Sequence, residues 1–193
     1  MENVILKSFP LFDVERVEVI RGPQGTLFGR NTTAGIIKFD TVKPSQDFDA
    51  VLETALGTLG TLNVEAAIGN GITDELSFRL SVLSQNRGDW IDNEYTGEKD
   101  AMGGFHENAA RLQLLYELDD FSALLNLHTR DLNGTSSIFR ANGVDTGSNK
   151  LNDSYDRDRV SYNQGDNNFQ RYNGDGASLK LDKEFDGFTL TSI

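Results

Sequence analysis

The chain has 193 residues, a formal net charge of -12 and no cysteine. The excess of acidic side chains argues against a nucleic-acid partner, because neutralising phosphates requires clustered Lys and Arg. The lack of cysteine excludes disulfides, thiolate metal sites and cysteine nucleophiles. No stretch of about 18 apolar residues occurs, so we expect no membrane-spanning helix. Composition leaves two classes open: a soluble all-β protein, and a membrane β-barrel, whose alternating strands keep average hydropathy low.

The segment that ends near Pro44 differs from the rest of the chain. Residues 14–20 form a β-rich run, a glycine-rich stretch follows at residues 22–35, and residues 36–39 predict a short strand. Proline and polar residues around position 44 are typical of a boundary between structural units. We therefore expect one unit over residues 1–44 and a second over residues 45–193.

From Phe48 onward, apolar and polar residues alternate with period two, which is typical of strands with one buried face. The alternating runs are residues 48–57, 62–68, 76–82, 110–118, 121–130 and 177–182, with a seventh starting at Phe188. Connections after the first hairpin alternate in length: short at 70–74, long at 86–106, short at 119–120, very long at 132–172 and short at 186–187.

This alternation of loop lengths is what an outer-membrane barrel requires, since such barrels have short periplasmic turns and long outer loops. A soluble sandwich also has one buried face and would show the same period. A soluble β-rich module that binds carbohydrate therefore stays open as the alternative. Dependence on detergent would separate the two classes.

The glycine-rich stretch follows a strand, so a phosphate-binding loop has to be considered. Gly25 and Gly29 are separated by three residues, and Arg30 stands where a Walker loop has lysine. The dinucleotide pattern G-x-G-x-x-G is also missing. We interpret the glycines as structural, because glycine permits positive φ and close backbone approach in a compact turn.

We find no pattern of catalytic or metal-binding residues. His106 and His128 lie in separate segments without metal-ligand spacing, and no known catalytic motif is present. The long segment 132–172 is rich in Asp and Asn, which favour Ca²⁺, but its spacing matches no calcium-binding repeat and indicates a solvated loop. We expect no metal, no cofactor and no enzymatic activity.

Residues 13–31 resemble the plug-domain signature of TonB-dependent receptors, in which V-E-R-V-E-V-L-R-G-P leads into G-T-L-Y-G-R-N. Residues 33–39 and 42–44 are similar to the A-G-G-x-I-N-x-x-T-K-K-P ending of that signature. Lys38-Phe39-Asp40 and Ala34 depart from it. The resemblance implies an all-β, mainly antiparallel fold: the C-terminal part of a plug domain over residues 1–44, then six to seven strands of an incomplete transmembrane barrel.

Both ends of the chain are unusual for a whole receptor of this family. The N-terminus has no signal-peptide pattern, and residues 190–193 stop within a strand-like run. We expect a fragment of a longer protein.

The resemblance implies a bacterial outer-membrane protein that takes up a scarce ligand such as a siderophore-type iron complex, cobalamin, haem or an oligosaccharide. Its partners would be outer-membrane lipid, the ligand and the TonB complex, which would act through a segment before this chain. TonB would pull on the plug at the expense of the inner-membrane proton gradient.

The resemblance also implies three groups of functional residues. The plug motif is carried by Glu18, Arg21, Gly22, Pro23, Gly25, Gly29 and Gly35. Glu18 and Arg21 are expected to pair with charged residues that face the barrel lumen, the candidates being Glu53, Glu65, Arg79, Arg111 and Glu117. Ligand contacts are expected on the outer loops, at Trp90, Tyr155, Arg157, Arg159 and Tyr162.

Overall fold

The computed structural model describes residues 10–29, 32, 34–135, 138, 140, 143–161, 163 and 168–193. The strands are β1 (Val14–Arg21), β2 (Gly35–Thr41), β3 (Asp49–Leu56), β4 (Leu62–Gly71), β5 (Leu76–Arg87), β6 (Ile91–Asn93), β7 (Glu98–Met102), β8 (Phe105–Leu118), β9 (Phe121–Thr135), β10 (Arg159–Val160), β11 (Phe169–Phe185) and β12 (Phe188–Ser192). One helical turn, α1 (Gly25–Phe28), lies between β1 and β2. Within these ranges no helix has the length and apolar character needed to cross a membrane.

The strands form three sheets. The largest has seven strands in the order β12-β11-β9-β8-β5-β4-β3, and each neighbouring pair is antiparallel. A two-stranded sheet pairs β1 with β2, and a three-stranded sheet has the order β10-β6-β7. The predicted all-β, mainly antiparallel fold is therefore confirmed, and the seven strands of the large sheet agree with the predicted six to seven.

The predicted alternation decides which side chains each face of the large sheet carries. We call the face that contacts Phe12 and Asp13 the inner face, and its opposite the outer face. On β5, Ser77, Arg79 and Ser81 are buried on the inner face, while Leu80 and Val82 are exposed on the outer face. An antiparallel ladder places directly opposite residues on the same side, so this division extends to the neighbouring strands.

The two long connections contain more regular structure than the sequence predicted. β9 continues to Thr135 and β11 starts at Phe169, so strand occupies both ends of the predicted loop 132–172. Ladder hydrogen bonds join backbone groups and need no apolar side chain, which is why polar sequence here remains in the sheet. The first long connection also forms the β6–β7 hairpin.

The small three-stranded sheet joins the two long connections to each other. β10, from the second connection, pairs in parallel with β6, from the first. Ile91, Met102 and Val160 are buried together at this junction, and Trp90 packs against them. These connections therefore share one small apolar core above the end of the large sheet.

Replacing Ile91 by Ala should separate the two long connections, since removing most of a buried Ile side chain costs about 2–5 kcal/mol. We expect faster hydrogen exchange in residues 91–102 and 159–160, with little change in β4 and β5. The matched control is Ile72→Ala, because Ile72 is 55% exposed. Equal exchange in both variants would contradict a shared core.

Candidate functional site

The site with the most concentrated charge lies where the chain enters β1 and meets the inner face of the large sheet. Asp13 precedes β1 directly and has a positive φ of 51°. Asp is one of the few residues other than Gly that adopts this left-handed conformation with little strain. The turn directs the Asp13 side chain to the sheet, and it is buried there.

Arg79 holds the Asp13 carboxylate through two hydrogen bonds. Its Nε donates to Asp13 Oδ2 at 2.7 Å and its Nη2 donates to Asp13 Oδ1 at 2.6 Å. The side chains of both residues are only 4% exposed. The third guanidinium nitrogen, Nη1, donates to Asp49 Oδ2 at 2.8 Å, and the Ser81 hydroxyl donates to Asp13. The geometry is the two-bond pairing that makes Arg–carboxylate contacts strong and directional.

Arg111 on β8 also contacts Asp13 and the residue before it. Its Nη2 donates to the backbone oxygens of Phe12 at 3.0 Å and Asp13 at 3.2 Å, and it lies 3.5 Å from Asp13 Oδ2. The Arg111 guanidinium stacks on the Phe12 ring, 4.7 Å from its centroid. From β4, Glu65 accepts a hydrogen bond from the Asp13 backbone N–H at 2.7 Å. We call these residues, with Arg79, Ser81 and Asp49, the Asp13 cluster.

The surroundings of Asp13 lower the pKa of its carboxyl below the ordinary value of 3.8. Burial alone would raise this pKa, but hydrogen bonds from Arg79 and Ser81, together with the charges of Arg79 and Arg111, outweigh burial. Asp13 is therefore ionised at neutral pH. The contact between the N-terminal segment and the sheet therefore combines this ion pair with a small apolar cluster of Phe12, Leu83 and Ala109.

The structure brings three of the lumen candidates, Glu65, Arg79 and Arg111, to the N-terminal segment through Asp13. Glu53 is exposed on the edge strand β3, opposite Glu65. Glu117 is exposed near the end of β8.

The two expected partners on the plug motif lie elsewhere. Glu18 contacts Lys38 at 3.5 Å and Arg16 at 3.0 Å within the β1–β2 sheet. Arg21 is exposed and pairs across the ladder with Gly35, with no ion pair to any residue that the structure describes. The charge that reaches the sheet comes from Asp13, whose kinked backbone sends its side chain away from the β1 ladder.

The glycines of the plug motif shape the turn between β1 and β2. Gly22 has φ 91°, and its N–H donates to Ala34 O at 3.2 Å. Gly35 has φ 144°, and a Cβ there would lie 2.5 Å from Ile20 O. Pro23 follows Gly22, Gly25 is the first residue of α1, and Gly29 follows α1 with φ 81°. The motif therefore forms a closed hairpin turn.

Four of the five loop candidates lie among the described residues, and Tyr162 lies outside them. Arg157 stacks on the Trp90 ring at 5.3 Å from its centroid, which joins the two long connections. The Arg140 guanidinium stacks on the Tyr155 ring, 5.8 Å from its centroid. Arg159 forms exposed ion pairs with Glu94 and Asp156.

Sequence reasoning missed Asp13, Phe12, Ser81 and Asp49. Asp13 is the first residue of the plug-domain signature, but nothing in its spacing distinguishes it from the charged residues inside β1. The described residues contain no group of three or more His, Cys, Asp or Glu side chains arranged to hold a metal ion.

Replacing Asp13 by Asn should weaken attachment of the β1–β2 hairpin to the sheet by about 3–5 kcal/mol, because it leaves buried Arg charges uncompensated. We expect residues 14–41 to become sensitive to limited proteolysis. Asp119→Asn, in an exposed turn, is the matched control. Similar protection in both variants would show that the ion pair contributes nothing.

The same contact should depend on pH in one direction. Since the pKa of Asp13 is lower in the folded protein, its stabilising contribution is fully present above the unfolded value of about 3.9 and is lost as pH falls through the folded value. Hydrogen-exchange protection of β1 should hold from pH 7 to 5 and fall below about pH 4. A wild-type profile identical to that of Asp13→Asn would contradict this assignment.

Comparisons with known proteins agree with the architecture. Residues 1–36 match the model of the TonB-dependent Receptor Plug Domain. The pesticin receptor of Yersinia pestis is 32% identical over 112 residues, which are 57% of this chain and 16% of the receptor. The catecholate siderophore receptor Fiu of Escherichia coli strain K12 is 32% identical over 113 residues, 54% of this chain and 14% of Fiu. The chain thus spans about a sixth of these relatives.

Two solved structures share the fold. The ferric yersiniabactin uptake receptor FyuA of Yersinia pestis superposes with a TM-score of 0.78 at 22% identity, over 94% of this chain and 28% of FyuA. The open form of the ferric-catecholate import receptor Fiu of Escherichia coli K12 gives 0.67 at 19% identity, over 90% of this chain and 26% of Fiu.

Proposed function

We infer that this chain, which by sequence and by fold is a segment of a TonB-dependent receptor, takes part in the uptake of a siderophore-type ligand across the bacterial outer membrane. The observation that carries this inference is the Asp13 cluster, which attaches a plug-motif hairpin to the inner face of a seven-stranded antiparallel sheet. A receptor of this kind is a transporter and not an enzyme. The matches to outer-membrane receptors argue against the soluble carbohydrate-binding alternative.

We propose residues 1–44 as the C-terminal part of the plug and residues 45–193 as the first strands of the barrel. The β1–β2 sheet has its own ladder, separate from that of the large sheet. Pro44 is buried, and Gln46 O accepts a hydrogen bond from Gly71 N at 3.2 Å. These contacts support a linker that follows the inner face before it enters β3.

The Asp13 cluster suits a plug that has to be both held and moved. Its charged contacts are directional and hold the hairpin in one position, and the apolar contact beside them is small, consisting of Phe12, Leu83 and Ala109. Once such a contact opens, water solvates the separated charges, whereas an apolar contact would expose surface that water disfavours. TonB is the proposed partner that supplies the pulling force, and outer-membrane lipid is the proposed partner of the outer face.

For the ligand, we propose contacts on the two long connections, which the small three-stranded sheet holds together. Trp90 and Arg157 already stack there, and Tyr155 and Arg159 lie on the same connection as Arg157. Tyr162 belongs to the same proposed group. Arg and aromatic side chains suit an anionic ligand with aromatic rings, through charge pairing and stacking. A relative named as a catecholate siderophore receptor and a solved structure named as a ferric yersiniabactin uptake receptor support this ligand class.

The test is uptake of labelled ferric siderophores by iron-starved cells that carry the complete receptor. We expect saturable uptake that disappears when the inner-membrane proton gradient is dissipated. The double variant Trp90→Ala, Arg157→Ala should raise the half-saturating concentration about tenfold, since two contacts of roughly 0.5–1 kcal/mol each are lost. Tyr95→Ala is the control, because Tyr95 is 59% exposed on the β6–β7 hairpin.

Failure of every catecholate, phenolate and hydroxamate iron complex to enter would contradict the proposed ligand class. Uptake that persists without the proton gradient would contradict energised transport.

A further inference from the structure

Three arginines lie on a diagonal across the inner face of the large sheet. Arg79 is on β5, Arg111 on β8 and Arg130 on β9. The registers pair Ser81 with Arg111 and Ala109 with Arg130, so each arginine stands one strand further along and one inner-face position nearer the long connections than the one before. Diagonal neighbours of this kind lie about 7–8 Å apart. We call Arg79, Arg111 and Arg130 the arginine diagonal.

The N-terminal segment occupies the first two positions of this diagonal. Two nitrogens of Arg79 and the Ser81 hydroxyl donate hydrogen bonds to the Asp13 carboxylate, and Arg111 Nη2 lies 3.5 Å from the same carboxylate. Donors that converge from three side chains fit an anionic pair of oxygens of any origin, because charge-assisted hydrogen bonds depend on charge and geometry. The wall is therefore an anion site that Asp13 fills in this structure.

Two of the three arginines also have a carboxylate partner that belongs to the sheet. Arg79 Nη1 lies 2.8 Å from Asp49 Oδ2, at the start of β3. Arg130 Nε lies 2.7 Å from Glu107 Oε1, on β8. These two pairs do not involve the N-terminal segment, so they would remain if the β1–β2 hairpin moved away.

Arg111 differs, because its contacts come from the N-terminal segment. The hydrogen bonds, the ion pair and the ring contact that the structure describes for Arg111 are all made with Phe12 and Asp13. Its buried Nε has no hydrogen-bond partner among the described residues. An uncompensated buried charge is costly. Displacement of the N-terminal segment would therefore leave Arg111 with a strong preference for another anion.

Arg130 continues the diagonal towards the long connections. Its guanidinium stacks on the Tyr172 ring, 5.0 Å from the centroid, and it makes no hydrogen bond or ion pair with the N-terminal segment that the structure describes. A cavity of about 300 Å³ opens beside it, and Gln85 and Glu107 are among the residues that line this cavity. The open space next to Arg130 thus lies between the long connections and the Asp13 cluster.

We propose that the arginine diagonal guides an anionic ligand along the barrel wall, and that the wall site held by Asp13 receives an anionic group of the ligand when the hairpin moves. The proposal rests on the proposed function and adds to it the charge of the ligand and the wall that it follows. An anion that leaves one arginine is still within a Debye length of the next, which is about 8 Å at physiological salt.

The experiment uses the complete receptor in iron-starved cells and two labelled probes. One probe is a ferric catecholate, which is anionic, and the other is a ferric hydroxamate, which is neutral. Binding is measured with the proton gradient dissipated, and the maximal uptake rate is measured with the gradient intact. Binding alone reports the proposed function and the amount of folded receptor, whereas the uptake rate at equal binding reports the arginine diagonal.

The test variant is Arg130→Gln. It should bind the ferric catecholate with the half-saturating concentration of wild type, yet its maximal uptake rate should fall about tenfold, because one cation of the diagonal is lost. Arg130→Lys keeps the charge and should retain most of the rate. Glu107→Gln is the matched control, since it breaks the same ion pair but keeps the cation. Its uptake should be at least as fast as that of wild type.

Equal loss of uptake in Glu107→Gln and Arg130→Gln would show that the ion pair matters only for the structure of the wall, and would overturn the proposal. A wild-type rate in Arg130→Gln, or a rate in Arg130→Lys as low as that of Arg130→Gln, would overturn it as well. Uptake of the neutral hydroxamate alone by wild type would also do so. Failure of wild type to bind either probe would instead contradict the proposed function, on which the diagonal depends.

Discussion

The structure depends on one buried contact, the Asp13 carboxylate held between the Arg79 and Arg111 guanidinium groups. In the chain, Asp13 is 66 positions from Arg79 and 98 positions from Arg111. Each charge is stabilised only while the others are present, because a lone buried charge is strongly destabilising. The position of the β1–β2 hairpin on the inner face, and with it the path of the linker into β3, follows from this arrangement.

The two faces of the large sheet carry side chains that suit different surroundings. The inner face carries Arg, Ser and Gln side chains, and Leu83 and Ala109 on the same face pack against Phe12 of the N-terminal segment. The outer face carries an apolar band with polar residues beyond it. An ordinary soluble sheet would bury its apolar face instead. Here Leu80, Val82 and Leu127 on the outer face remain exposed, which fits a surface whose solvent is lipid.

The two long connections, which the sequence showed only as polar loops, are joined to each other in two ways. The β10-β6-β7 sheet joins the two long connections through the Ile91, Met102 and Val160 core, and Arg157 stacks on Trp90 beside it. Ligand contacts proposed on either connection would therefore move together.

Sequence alone determined the seven strands of the large sheet in outline, the facing of their alternating runs and the plug motif, because period-two alternation and turn glycines are local properties. It also selected Glu65, Arg79 and Arg111 as inward-facing charges. It could not identify Asp13 as the partner of these charges. Asp13 and Glu18 are both acidic residues of the plug motif, and only the positive φ at Asp13 directs its side chain towards the sheet. Tertiary structure decided that pairing, and the joining of the two long connections, because both depend on contacts between residues far apart in the chain.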